Sequence, residues 1–79
     1  MRIEYTKQAV KYINGTDKTT KKRIKESIEK IPQGDIKKLQ GIDNAYRLRV
    51  GDLRILFTYE KEVIYIERIL PRGEVYKRV

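Results

Sequence analysis

The apolar positions divide the chain into two halves with different periods. Arg2 to Tyr5 alternates polar and apolar residues, the period-two pattern of a short strand. Lys7 to Asn14 follows, with Ala9, Val10 and Ile13 at helical spacing, so Thr6 is the expected N-cap and Gly15 the expected stop. A second helix begins after a cap at Thr16 or Asp17. Its Ile24, Ile28 and Ile31 recur at i, i+4 and i+7 and make one apolar stripe. Pro32 stops this helix near Lys30, because proline has no N–H to donate and clashes with the preceding turn.

Residues 32–44 hold two glycines and one proline and predict a loop, tethered to the core by Ile36 and Leu39. From Ala45 the period becomes two. Tyr46, Leu48 and Val50 face one side, and Arg47 and Arg49 face the other. Gly51-Asp52 suits a tight turn. Leu53–Tyr59 and Glu62–Leu70 read as two further strands joined closely at Glu60-Lys61, with Tyr59, Val63 and Tyr65 expected to supply cross-strand contacts. Pro71 ends the last of them, and Glu74–Val79 is either a final edge strand or a frayed tail. The predicted order is β-α-α-β-β-β. This is a single α+β domain over residues 1–79, with two N-terminal helices packed on one face of a small, mostly antiparallel sheet. The other face is open and carries Arg47 and Arg49.

A chain of 79 residues allows one domain and only a modest core. Its longest apolar runs, Ile55-Leu56-Phe57 and Val63-Ile64-Tyr65-Ile66, are far too short to span a membrane. The N-terminal residues lack the apolar run of a signal peptide, so the expected location is cytoplasmic. Cysteine and histidine are both absent, which excludes thiolate chemistry, zinc sites built on those residues and a Ser-His-Asp triad. No carboxylate cluster suggests a metal, and nothing in the sequence implies a cofactor.

Charge changes the picture most. The net charge is +8, from 19 Lys and Arg against 11 Asp and Glu, which favours a polyanionic partner over a mere solubilising surface. The cations segregate by type. Residues 1–44 contain nine Lys and two Arg; residues 45–79 contain six Arg and two Lys. Lysine gives a diffuse, solvated field, whereas arginine offers a planar fork that grips phosphate through two bonds. Lys18, Lys21, Lys22 and Lys25 on the second helix, with Lys37 and Lys38 in the loop, are candidates for steering onto RNA or the ribosome. Equally, they are what a solvated helix face contains. Arg47, Arg49 and Arg54, with Arg72 and Tyr76 further on, would suit a bent phosphodiester and a stacked base. The alternative is a sheet face kept soluble by arginines paired with Glu60, Glu62, Glu67 or Glu74. Arg68 reads as a structural ion-pair member, outside the site.

Three segments stand in a recognisable order: Lys37-Lys38-Leu39-Gln40-Gly41, then Tyr46-Arg47-Leu48-Arg49-Val50-Gly51-Asp52-Leu53-Arg54-Ile55, then Arg72-Gly73-Glu74-Val75-Tyr76. Together they resemble the RelE/ParE family of toxins of type II toxin–antitoxin systems. The resemblance covers nearly the whole chain, although the helical half matches only in outline. It implies the same two-helix, small-sheet fold. RelE-type members cleave mRNA in the ribosomal A site and are neutralised by a cognate antitoxin. By position, Arg47 and Arg49 match that family's basic pair, Arg54 its phosphate-binding arginine, and Arg72 and Tyr76 its C-terminal arginine and tyrosine.

Two departures matter. Some members have lysine in place of Arg47 and Arg49, one of which is assigned as the general base. Arginine stays protonated and is a poor base, so here the pair is expected to stabilise charge, leaving Glu74 and Tyr76 as candidate bases. Pro71 stands where several ribonuclease-type members have a polar residue or His. The implied reaction is attack of a 2′-OH on its own phosphate, without metal, in which positioning and arginine do most of the catalysis. It would leave a 2′,3′-cyclic phosphate and a 5′-OH. The implied partners are mRNA, the ribosome and an acidic, amphipathic antitoxin, with no membrane. The alternative within the family is a ParE-type toxin that poisons DNA gyrase and cuts no RNA.

Overall fold

The structure is a computed structural model that describes residues 2–71. Strand β1 (Arg2–Tyr5) leads into helix α1 (Lys7–Gly15) and helix α2 (Lys18–Glu29), followed by β2 (Asp35–Lys38), β3 (Ala45–Val50), β4 (Leu53–Glu60) and β5 (Val63–Pro71). Both helix starts follow side-chain chemistry. The Thr6 hydroxyl accepts from the Ala9 N–H at 3.2 Å, and the Asp17 carboxylate accepts from Thr20 N–H at 3.2 Å. Each cap satisfies one of the first-turn N–H groups that has no partner within its helix. Asp17 therefore takes the second cap, and Thr16 closes the end of α1, its N–H reaching the Ile13 carbonyl.

The strands lie side by side in the order β1-β5-β4-β3-β2. Neighbours pair antiparallel except β1, which runs parallel to β5 with Arg2 opposite Val63 and Tyr5 opposite Ile66. The sheet is thus mixed, with five strands where the sequence predicted four. The extra one, β2, lies inside the segment expected to be a loop. Its antiparallel pairing with β3 engages the inward-facing edge of residues 35–38, and of the four only Ile36 packs on the core. Lys38 and Tyr46 are also partners, so Lys37 and Lys38 point to opposite faces.

The helices cover one face of this sheet. Ala9 and Ile13 of α1, with Ile24, Ile28 and Ile31 of α2 and the turn after it, pack against Leu48, Ile55, Phe57, Ile64, Ile66 and Ile69. Fully burying an isoleucine side chain contributes roughly 1.5–3 kcal/mol, so this layer holds the fold together. Tyr46 stacks on its cross-strand partner Phe57, ring centroids 5.4 Å apart, and in the β4–β5 pair Tyr59, Val63 and Tyr65 stand opposite Ile64, Glu60 and Thr58. The isoleucines of β5 break strict alternation, since Ile64 and Ile66 are followed by Ile69. A β-bulge absorbs the extra residue. Phe57 opposes Ile66 and Leu56 opposes Arg68, so Glu67 has no partner of its own in the register. Among the described residues, no helix is long and apolar enough to cross a membrane.

Two hairpin turns differ in quality. Gly51 opens the β3–β4 turn at φ 57°, a region glycine enters freely. In the β4–β5 turn the same left-handed region is filled by Lys61 (φ 51°) and Glu62 (φ 65°), where a side chain costs roughly 1–2 kcal/mol per residue. Two successive positive φ values define the turn type that favours Asn-Gly. Replacing the pair by Lys61→Asn and Glu62→Gly should stabilise the protein by about 1 kcal/mol, raising Tm by roughly 4–8 °C in a thermal melt. An unchanged Tm would show that the turn is not strained.

Asp17 gives a pH signature. Hydrogen bonds from Thr20 hold its carboxyl below the usual value. A lowered folded-state pKa adds stability above the unfolded value, and that stability is lost as pH falls through the carboxylate range. The deficit in Tm of Asp17→Ala at neutral pH should therefore shrink on acidification. A deficit independent of pH would remove the charged cap as its cause.

Candidate functional site

Because Leu48, Ile55 and Phe57 are committed to the core, the residues between them must face away from the helices. The register then sets two rows across this second face. One runs Asp35, Arg49, Arg54, Leu70; the other runs Lys37, Arg47, Leu56, Arg68. Five cationic side chains share these rows with one carboxylate. Arg47 lies opposite Leu56 and Arg54 is two residues from Leu56, so the two arginines are diagonal neighbours, with Cα atoms about 7–8 Å apart by standard sheet geometry.

The face is less open than alternation implied. Arg47 is only 8% exposed and Arg54 is half-buried, whereas Arg49 is exposed. Arg47 stands on an inner strand with Lys37 on one side and Leu56 on the other, so its stem is flanked from both directions.

Electrostatics set this face apart from a surface built for stability. Arg49 and Arg54 are direct cross-strand partners, and like charges in that relation are destabilising. One Nη of Arg47 and one Nη of Arg54 are buried and have no hydrogen-bond partner among the described residues. A buried donor without an acceptor costs about 1–3 kcal/mol, and more when charged. Asp35 gives partial relief. Its carboxylate oxygens lie 3.8 Å from Arg47 and 3.6 Å from Arg49. Those distances exceed a hydrogen bond, and the carboxylate is half exposed, so both contacts are weak.

Several expectations change. No ion pair among the described residues joins these arginines to Glu60, Glu62 or Glu67; their carboxylate is Asp35, placed there by the unforeseen strand β2. Arg68 donates from Nε to the Gln8 amide oxygen at 3.0 Å and forms no ion pair among the described residues. Lys37 joins the arginine face beside Arg47, but Lys38 does not. Lys18, Lys21, Lys22 and Lys25 belong to α2, on the far side of the sheet, and are not brought together with the arginines. Arg72 and Tyr76, the candidate base Glu74, and the proposed last element over Glu74–Val79 lie outside the described residues.

Chemically, the face offers forked donors, two of whose nitrogens have no partner among the described residues. Residues 3–76 match the family described as ParE toxin of the type II toxin–antitoxin system parDE. The chain is 33% identical to Toxin RelE3 of Methanocaldococcus jannaschii, over 96% of each chain. Its fold is similar to the RelB-RelE antitoxin-toxin complex of Methanococcus jannaschii, with TM-score 0.78 and 32% identity over 95% of this chain and 96% of that one. The archaeal RelE-RelB complex of Pyrococcus horikoshii is also similar, with TM-score 0.75 and 29% identity over 94% and 97%. With the family model matched over residues 3–76 and the fold shared, the chain belongs to the RelE/ParE family of toxins of type II toxin–antitoxin systems.

Proposed function

We propose that this toxin is a metal-independent endoribonuclease that binds mRNA across its arginine face in the cytoplasm and cuts it in the ribosomal A site, stopping translation. The observation that carries the reading is the pair of buried guanidinium nitrogens, on Arg47 and Arg54, that have no acceptor among the described residues. A phosphodiester supplies acceptor oxygens at two such donors and offsets the repulsion between Arg49 and Arg54. As the 2′-OH attacks, charge builds on the phosphate oxygens, and donors already held in place stabilise that state more than the ground state. By resemblance, Arg72 and Tyr76 complete the set. Lys37 adds charge at the rim, and the lysines of α2 act at longer range by attracting the ribosome.

The partner that silences it is an antitoxin. Solved relatives are complexes of RelE with RelB. For this chain a net charge of +8 favours an acidic segment. On the helix side, a cleft of about 330 Å³ lined by Ile31, Pro32, Ile36, Tyr46, Phe57 and Tyr59 offers apolar surface to such a segment. Co-expression with the cognate antitoxin should restore growth and yield a stable complex.

The decisive experiment is single-turnover cleavage of mRNA on programmed ribosomes. Wild type should cut, and Arg54→Ala, still folded by circular dichroism, should be slower by roughly 10²–10³-fold, as for loss of one preorganised donor. Intact mRNA accompanied by stalled replication and a DNA-damage response would instead identify gyrase as the target. Asp35 supplies a second check. Asp35→Asn removes a negative charge beside the arginines and sacrifices only weak ion pairs. It should tighten binding of single-stranded RNA at low salt while costing less than about 1 kcal/mol in stability. Weaker RNA binding by a folded Asp35→Asn would place the RNA elsewhere.

A further inference from the structure

Among the described residues, the arginines of this face supply no base. Arginine does not give up its proton at any pH the fold survives, so Arg47, Arg49 and Arg54 stabilise charge but cannot activate a 2′-OH. A carboxylate meeting that need lies on the same face, at the β-bulge of β5.

Glu67 is the bulged residue, set between the Phe57–Ile66 and Leu56–Arg68 pairs. Bulges re-aim side chains and interrupt the ladder. Both effects are visible. The Glu67 carbonyl accepts a 2.8 Å hydrogen bond from the Thr6 hydroxyl, the same group that caps α1. Its carboxylate Oε2 accepts a 3.2 Å hydrogen bond from the Thr58 hydroxyl. Thr58 is two positions from Leu56 on β4, and Leu56 is the partner of Arg47. Thr58 and Arg47 are therefore diagonal neighbours on the arginine face, about 7–8 Å apart at Cα. The Glu67 carboxylate, bonded to Thr58, therefore stands on the same face as Arg47, on the strand beyond β4.

Among the described residues the carboxylate also has no ion-pair partner. Among the described residues the side-chain ion pairs are Arg2–Glu4, Arg47–Asp35 and Arg49–Asp35, and Glu67 is in none of them. Its neighbour Arg68 is drawn off to Gln8. Asp35, by contrast, stands exposed between two cations, 3.8 Å from Arg47 and 3.6 Å from Arg49. Among the described residues the Glu67 side chain has one donor, the Thr58 hydroxyl on Oε2, and it is half-buried, so bulk water competes less for its other oxygen.

From this geometry, and resting on the reading of the arginine face as an mRNA-cleaving surface, we infer that Glu67 is the general base of the reaction. Its carboxylate takes the proton from the 2′-OH. The 2′-oxygen forms its bond to phosphorus, held by Arg47 and Arg54, and the bond from phosphorus to the 5′-oxygen breaks. The leaving 5′-oxygen takes a proton from water, and Glu67 later returns its proton to solvent. The products are a 2′,3′-cyclic phosphate and a 5′-hydroxyl, with no net gain or loss of protons. Thr58 is a positioning residue that holds the carboxylate toward the ribose.

The test is Glu67→Gln in single-turnover cleavage on programmed ribosomes. Glutamine keeps the shape and can still accept from Thr58, so the melt and antitoxin binding should stay at wild-type values. Cleavage should slow by roughly 10²–10⁴-fold, the range for loss of a general base. An mRNA with sulfur in place of the bridging 5′-oxygen at the cut site separates the roles, because a thiolate leaves without a proton. With that substrate the deficit of Glu67→Gln should persist. Its disappearance would make Glu67 an acid on the leaving group and overturn the assignment. Wild-type cleavage by folded Glu67→Gln would overturn it while leaving the ribonuclease reading intact. An inactive wild type would overturn both. Thr58→Val should show a smaller slowing that disappears in the Glu67→Gln background, since Thr58 acts through the carboxylate. A loss of equal size in both backgrounds would sever that link.

Discussion

Everything on the arginine face depends on one restraint, the locking of β3, β4 and β5 against the helices by their apolar residues. Leu48 sits between Arg47 and Arg49, and Ile55 follows Arg54 directly. Both apolar residues are almost wholly buried, at 1% and 0% exposure. A slip of one residue in any strand would turn its arginines into the isoleucine layer and its isoleucines out to water. The same packing that stabilises the fold therefore fixes the direction of the guanidiniums. No separate scaffold is required to orient them.

Given that rigidity, the face can sustain arrangements that stability alone would not select. Arg49 opposite Arg54, and two buried nitrogens without acceptors among the described residues, each work against folding. Asp35 offsets part of this from an edge strand, through contacts too long for hydrogen bonds. Local conflicts of this kind cluster where a ligand completes the structure. On the proposed reading the face is prepared for an anion, since the reorganisation has been made during folding and is not repeated at binding.

Much of this was legible in the sequence, and the rest failed for identifiable reasons. Alternation over Tyr46 to Val50 is strict, so the sidedness of Arg47 and Arg49 could be read directly, and Gly51-Asp52 placed Arg54 next to them. Strand β2 could not be read in the same way. Asp35-Ile36-Lys37-Lys38 has a single apolar residue, because an edge strand this short buries only one, and no period can be taken from one position. Missing β2 also meant missing Asp35 as the partner of two arginines. The helical lysines were legible as a basic surface, but not their separation from the arginines by a whole layer. The bulge did leave a trace. In Ile64-Tyr65-Ile66-Glu67-Arg68-Ile69 two polar residues stand between isoleucines where alternation allows one, and all three isoleucines are buried. Reading that as an inserted residue would have located Glu67.

The parallel pairing of β1 with β5 has a consequence for how the protein comes into being. Arg2 can pair only with Val63, and Thr6 finds its acceptor at Glu67, 61 residues along the chain. During synthesis the first strand and the first helix cap therefore wait, incomplete, for the last strand to emerge. Until then the sheet has no β5 on which to seat β1, and the isoleucine layer lacks Ile64, Ile66 and Ile69. An interrupted translation product that stops before Val63 cannot close the sheet. Such a fragment carries most of the positive charge but neither the bulge nor the packed core that orients the arginines, so the complete surface arises in one late, cooperative step.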